Sequence, residues 1–115
     1  METMERLNIP PQAEMPFRFR QRFAGDNYTF RFGRSGSVGG IQGQLTIDIS
    51  KNGEKIIEGY PVLAAREIFD LNKLNIILIP SWPDGREDVI RMEDLQKREA
   101  EIAILTTEQL NELLQ

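Results

Sequence analysis

The side chains that could do acid–base chemistry or bind a metal ion are carboxylates near the end of the sequence. They are Asp84, Glu87, Asp88, Glu93 and Asp94. Hydrolysis or hard-cation binding requires two or more carboxylates that converge on one cavity. The segment "DGREDV" lacks the spacing of a calcium-binding loop, because Asp84 directly precedes Gly85. We therefore interpret it as a solvated acidic turn.

The chain contains no histidine and no cysteine. Without histidine it lacks the usual general base, the Ser–His–Asp and Cys–His arrangements and the commonest metal ligand. Without cysteine it can form neither disulfides nor thiolate metal sites. We therefore predict that the protein is not an enzyme and binds no cofactor and no metal ion.

The glycine-rich segment 33–43, "GRSGSVGGIQG", could cradle a phosphate. It contains no lysine, and none of its glycines has the G-x-G spacing, so neither phosphate-binding pattern is met. We interpret it as an irregular loop that orders against a partner.

The stretch "PFRFRQRF", residues 16–23, alternates arginine with phenylalanine. The arginines are Arg18, Arg20 and Arg22, and the phenylalanines are Phe17, Phe19 and Phe23. If the stretch is a strand, the arginines share one face and the phenylalanines the other. Platforms for single-stranded nucleic acid need aromatic and positive side chains on one face, so this separation favours pairing with carboxylates of another protein.

Other residues extend this candidate interaction surface. Arg31 follows in the next predicted strand, and Arg34 comes just after that strand. Pro10 and Pro11 lie in an extended segment before the first strand. Trp82, the only tryptophan, lies at a predicted turn and is either a lid on the core or a subunit contact. The candidate protein-interaction residues are Pro10, Pro11, Arg18, Arg20, Arg22, Arg31, Arg34 and Trp82.

Charge is distributed unevenly along the chain. The formal net charge is −4 and the pI is about 4.9, yet residues 1–34 are basic overall and residues 84–115 strongly acidic. Opposed ends favour head-to-tail self-association or a charged partner. A dedicated nucleic-acid-binding domain would have a pI above about 9, far above the value for this chain. A β-barrel module that binds single-stranded nucleic acid is therefore kept only as the alternative function.

Strand patterns dominate the first two thirds. Residues 17–23 and 28–32 predict a hairpin, with a turn in which Gly25 and either Asp26 or Asn27 take positive φ. Residues 44–60 predict a strand, a turn at Asn52-Gly53 and a return strand with a bulge at Gly59.

The remaining patterns are shorter. Residues 62–72 are compatible with one or two helical turns or with a loop, and 73–80 predict a buried strand. Residues 88–92, "DVIRM", are compatible with a short strand, and the following segment begins helical and returns to strand at 101–105. Thr106 and Gln109 form a capping box that predicts a helix over 107–114. Its face of Leu110, Leu113 and Leu114 should dock on its own core or on a neighbouring subunit.

The fold class that these elements predict is mainly β. We expect a small antiparallel β-barrel or sandwich, with an extended N-terminal arm over 1–15, a β domain over 16–105 and a C-terminal helix over 106–115. The arm is either a frayed terminus or lies on a neighbouring subunit. No run is apolar enough to span a membrane, and the N-terminus lacks the pattern of a signal peptide.

The order of these features resembles the phage baseplate plug family, small tail proteins of contractile phages. The resemblance covers residues 8–80 and departs from the pattern in having no tryptophan before the strand "LTIDI". The matching positions are Pro11 and Gln12, Tyr28–Phe32, Leu45–Ile49, Asn52-Gly53, Ile57, Gly59, Pro61 and Leu63.

The resemblance implies a non-enzymatic structural subunit of a virion tail baseplate. It implies contacts with tube, hub, spike or wedge proteins, several copies in the assembly, and synthesis in the host bacterial cytoplasm. It implies neither a membrane nor a nucleic-acid partner.

Overall fold

The computed structural model describes residues 5–12, 14, 16–34, 44–70 and 74–113 of the chain. In chain order, its elements are β1 (Glu5–Arg6), β2 (Phe17–Phe23), β3 (Asp26–Arg34), β4 (Leu45–Lys51), β5 (Glu54–Pro61), β6 (Ile76–Ser81), α1 (Met92–Gln96), β7 (Glu101–Thr106) and α2 (Thr107–Leu113). Within these ranges the strands form two antiparallel sheets. The prediction of a mainly β protein is therefore confirmed.

The four-stranded sheet has the order β2-β3-β4-β5, so each strand pairs with its neighbour in sequence. Both predicted hairpins are present, because alternating apolar residues and two-residue turns specify the register locally. β3 extends the second predicted strand at both ends and includes Gly33 and Arg34. The rest of the glycine-rich segment, residues 35–43, lies outside the described residues.

The turn of the first hairpin differs from the prediction. Ala24 and Gly25 take the positive φ values, 50° and 86°, whereas Asp26 and Asn27 belong to β3. The reason is the register: Phe23 pairs with Asp26, which leaves exactly these two residues for a tight turn with positive φ at both positions.

Asn52 and Gly53 form the second turn, as predicted, with φ values of 50° and 89°. Asn52 also ties the two hairpins together. Its Oδ1 accepts the Asn27 backbone N–H at 3.0 Å, and its Nδ2 donates to Asp26 Oδ1 at 3.1 Å. The predicted irregularity at Gly59 is present too, as a register shift opposite β4 and a φ of 66°.

The three-stranded sheet has the order β1-β7-β6 and joins the two ends of the chain. β6 and β7 confirm the strands predicted at 73–80 and 101–105. Residues 62–70 form no helix; they are irregular and touch the sheet through an isolated bridge between Ile68 and Leu78. "DVIRM" forms no strand, because its described residues run as an irregular segment into α1.

Both sheets contribute to one hydrophobic core. Its centre holds Tyr28, Phe30 and Phe32, whose side chains are 0% exposed. Tyr28 donates its hydroxyl to Asn75 Oδ1 at 3.2 Å, and burial together with the nearby Asp26 carboxylate raises the pKa of Tyr28. Among the described residues the strands form no closed barrel, because no strand of one sheet pairs with a strand of the other. The barrel form of the prediction is thus wrong, and two sheets share the core instead.

The C-terminal helix α2 begins with the predicted capping box. Gln109 donates its backbone N–H to Thr106 Oγ1 at 3.0 Å, and Thr106 donates its own to Gln109 Oε1 at 2.9 Å. Docking of the leucine face on the core is only partial, since Leu110 is half-buried, Leu113 is 63% exposed and Leu114 lies outside the described residues. No helix in the described ranges is long and apolar enough to cross a bilayer.

Ala24→Asn should stabilise the protein by about 0.5–1 kcal/mol, because asparagine tolerates the left-handed conformation that alanine adopts here at a cost. The free energy of unfolding, measured by urea denaturation, checks this. Ala24→Val is the matched control: a β-branched residue at positive φ should destabilise the same exposed turn. Equal stability of both variants would contradict the turn geometry.

Candidate functional site

Four arginines lie on the outer face of the four-stranded sheet, the face turned away from the core. Residues that pair directly across two strands share a face. Arg18 lies opposite Arg31, Arg20 opposite Thr29 and Arg22 opposite Asn27. We call Arg18, Arg20, Arg22 and Arg31 the basic face.

The arginines of β2 are exposed. Along the strand, alternate side chains are about 7 Å apart. Within the described residues, no carboxylate approaches Arg18, Arg20 or Arg22 within ion-pair distance. The three exposed guanidinium groups have the chemistry to pair with carboxylates of another molecule.

Arg34 does not belong to this face. It pairs with Leu45, whose side chain is buried, and so has the opposite parity at the exposed end of β3. The structure therefore separates Arg34 from the other predicted arginines.

Asp48 supports the basic face from β4. It lies opposite Arg31 and accepts a hydrogen bond from Arg31 Nη1 at 3.3 Å. Its other carboxylate oxygen accepts the Gly59 backbone N–H at 2.7 Å, where β5 bulges. Asp48 is only 9% exposed. Sequence analysis did not identify Asp48; an acidic residue opposite a strand glycine was the pattern that could have indicated its role.

Aromatic side chains of β2 and β3 lie on the opposite face from the arginines. The Phe17 ring lies tilted against Phe32 with ring centroids 5.7 Å apart, and Phe19 lies tilted against Phe30 at 5.6 Å. No described residue that pairs on the outer face is aromatic. The basic face thus has charge without a stacking surface, which does not favour the single-stranded nucleic-acid alternative.

The predicted N-terminal arm is extended, but its described part packs on its own domain. Leu7 and Ile9 are 3% and 5% exposed and belong to the core. Leu7 donates its N–H to the Ile102 carbonyl at 2.9 Å, and Gln96 donates to the Pro10 carbonyl at 3.2 Å. At Leu7 and Ile9 the arm is therefore neither frayed nor laid on a neighbour, because these two apolar side chains are buried in the core of their own domain.

Pro10 and Pro11 follow the buried part of the arm. Pro10 is half-buried and Pro11 is exposed. Within the described residues, no hydrogen bond or ion pair joins these prolines to the arginines of β2. Their interaction with another protein remains a prediction.

Gln21 connects the arm to β2, a contact that sequence analysis missed. Its Oε1 accepts the Asn8 backbone N–H at 2.8 Å, and its Nε2 donates to the Arg6 carbonyl at 3.0 Å. Gln21 replaces a phenylalanine in the alternating pattern of β2, and that exception was the available indication.

Trp82 is a lid on the core rather than an exposed contact. It is 6% exposed and donates its indole N–H to the Asp88 carbonyl at 2.9 Å. The Arg86 guanidinium lies 4.0 Å from the centre of its ring, and Arg86 also pairs with Asp84 at 3.6 Å. Trp82 and Arg86 thus organise the acidic turn, and any contact with a partner is made by the turn around them.

The acidic turn borders a cavity of about 270 Å³ between residues 62–66 and 87–90. Leu63 and Val89 expose apolar surface there, beside Arg66 and Glu87. In the described part of the chain, no group of three or more carboxylates converges as a metal site would require. The cavity therefore presents a mixed apolar and charged surface.

Comparison with known proteins adds one match. The protein-family model described as cyanophage baseplate Pam3 plug gp18 matches residues 4–107. This range includes every strand of both sheets and the acidic segment 84–101, which the resemblance over 8–80 did not include. A search of curated proteins found no match.

Asp48→Ala should lower the free energy of unfolding by about 1–3 kcal/mol, because the Gly59 N–H and Arg31 both lose their acceptor. Asp48→Asn keeps an acceptor for Gly59 and should cost less. Ser50→Ala, on the same face of β4, is the control and should change stability by less than about 0.5 kcal/mol. Urea denaturation measures all three; equal effects at 48 and 50 would contradict the role of Asp48.

Proposed function

Because the chain belongs to the cyanophage baseplate plug family, we propose that it is a non-enzymatic structural subunit of a contractile phage tail baseplate. It acts through contacts with other baseplate proteins. The family indicates the kind of assembly, a phage baseplate. The outer face of the four-stranded sheet provides the side chains for contact.

The observation that carries the proposal is the basic face. Arg18, Arg20 and Arg22 are held at regular spacing on a sheet whose other side is core, and they have no carboxylate partner among the described residues. Guanidinium groups bind carboxylates through two parallel hydrogen bonds, so they give both attraction and orientation. The partner surface is therefore acidic.

Our proposal for the partners is a tube, hub, spike or wedge protein of the same baseplate, with several copies of this chain in the assembly. The acidic turn and the exposed Leu113 of α2 supply further contact surface. The division into an arm over 1–15, a β domain over 16–105 and a helix over 106–115 is retained as a proposal, with residues 5–10 packed on the domain. Assembly takes place in the host bacterial cytoplasm, before release of the virion.

The assignment as a non-enzyme has support from composition and from geometry. The sequence has no histidine or cysteine, and Arg86 pairs with two carboxylates of the acidic turn, Asp84 at 3.6 Å and Asp88 at 3.7 Å. Structural subunits need only complementary surfaces, and this chain offers these.

Replacing Arg18, Arg20 and Arg22 together by glutamate should leave folding intact and reduce incorporation into baseplates at least about tenfold, because attraction to an acidic partner becomes repulsion. Incorporation is measured by complementing a phage that lacks the gene and quantifying the protein in purified particles. Circular dichroism and the melting temperature report on folding.

The matched control reverses Arg66, Lys97 and Arg98, which are exposed, lie outside the four-stranded sheet and make no ion pair within the described ranges. It changes the net charge equally and should leave incorporation unchanged. If the β2 variant assembles normally, the basic face is only solvated. If the wild-type protein is absent from purified baseplates, the structural role itself is wrong.

A further inference from the structure

Sheets end in edge strands, whose outward N–H and C=O groups pair with another chain unless something covers or distorts them. In the described parts of the chain, the three-stranded sheet has no open edge. Its edge strand β1 has two residues, and β6 is covered by residues 65–68. Ile68 donates its N–H to the Leu78 carbonyl at 2.8 Å, and Ala65 donates to the Pro80 carbonyl at 2.9 Å.

The two edges of the four-stranded sheet differ from each other. β5 shifts register twice against β4 and ends at Pro61, and such bulges and prolines blunt an edge. β2 pairs with β3 from Phe17 to Phe23 without any shift. Within the described residues, β2 is therefore the one long and regular edge that is left uncovered.

The backbone of β2 presents its outward groups at the arginines. In antiparallel pairs, hydrogen-bonded and non-hydrogen-bonded positions alternate. Asn27 uses both its N–H and its C=O on Asn52, on the β4 side, so its partner Arg22 occupies a non-hydrogen-bonded position. By alternation, Arg18 and Arg20 also direct their N–H and C=O groups away from β3.

The N-terminal segment lies beside β2 without occupying this edge. Arg6 and Asn8 form their hydrogen bonds with the side chain of Gln21, not with the β2 backbone. No backbone hydrogen bond joins β2 to any described segment other than β3.

The two faces of β2 determine which side chains an added strand must carry. On the outer face, a neighbouring strand would place its side chains opposite Arg18, Arg20 and Arg22, where carboxylates are favoured. On the inner face, Phe17 and Phe19 are half-buried and pack on the core from one side. Apolar side chains would complete their burial.

We propose that β2 accepts an extended strand of another baseplate protein, in which acidic and apolar side chains alternate, as a fifth strand of this sheet. The identity of the partner as a baseplate protein rests on the proposed function; the strand and its pattern rest on the edge. A second copy of β2 does not fit, because antiparallel self-pairing places arginine opposite arginine.

The first test is a synthetic heptapeptide that alternates valine with glutamate, titrated into the full chain and followed by NMR. At saturation, amide exchange at Arg18, Arg20 and Arg22 should slow at least about tenfold, while the amides of Phe19 and Gln21, already bonded to β3, should change less than about twofold. Protection that ignores this alternation, or no protection at all, would overturn the proposal.

The control peptide has the same sequence with a methyl group on the amide nitrogen of each glutamate. It keeps every charge but cannot donate to the edge. The unmodified peptide should bind at least about tenfold more tightly, corresponding to lost backbone hydrogen bonds. Equal affinities would mean that side-chain ion pairs alone attract the peptide, which would refute strand addition. If neither peptide binds, the arginines prevent strand pairing at this edge, and strand addition is wrong.

A pair of protein variants separates the backbone from the charge. Arg20→Ala removes the guanidinium, and Arg20→Pro additionally removes the outward N–H, which β3 does not use. The proline variant should bind the peptide about tenfold more weakly than the alanine variant. Unchanged amide exchange at Phe19 and Gln21 shows that the proline variant folds. If that variant does not fold, the comparison of the methylated and unmodified peptides tests strand addition instead.

The same variants distinguish this proposal from the proposed function. One outcome is that baseplates exclude the variant with all three arginines reversed but incorporate Arg20→Pro and Arg20→Ala in equal amounts. The structural role then stands, and strand addition is wrong. If baseplates lack the wild-type protein but the peptide protects alternate amides, the edge accepts a strand and the baseplate role is wrong.

Discussion

Burial of Tyr28, Phe30 and Phe32 in the middle of the molecule constrains the whole four-stranded sheet. These rings occupy one face of β3, so every residue between them must face the other way. The register then transmits this requirement to β2, where Arg18 lies opposite Arg31 and Phe19 opposite Phe30. The core and the basic face are therefore two results of one burial requirement, and a slip of one residue would exchange them.

The sheet is asymmetric, and this asymmetry bears on assembly. Asp48 holds the Gly59 bulge on one side, so β5 is distorted and closed by Pro61. On the other side β2 stays regular. In the strand addition that we propose, one regular edge among the described strands would limit assembly to one kind of neighbour, since a second such edge would permit uncontrolled growth. In the same strand addition, the arginines of this edge would repel a second copy of β2 and attract an acidic strand.

Local patterns predicted much of the fold and part of the site. Both hairpins, the Asn52-Gly53 turn and the Thr106–Gln109 capping box depend on residues close in sequence, and all are present. The common face of the β2 arginines followed from strand alternation alone. The positive φ at Ala24 was missed because the register of the hairpin, not the preference of alanine, places it in the turn.

The sequence by itself determined the alternation of arginine with phenylalanine, the turns and the absence of histidine and cysteine, since these depend on residue type and spacing. Only the tertiary structure decided which segments of the chain pack against each other. It brought Leu7 and Ile9 into the core and buried Trp82 beneath Arg86. Among the described segments, residues 65–68 closed the edge of β6, while none paired with the outward edge of β2. These outcomes depend on contacts between segments far apart in the chain, where burial of distant apolar surface outweighs local preference.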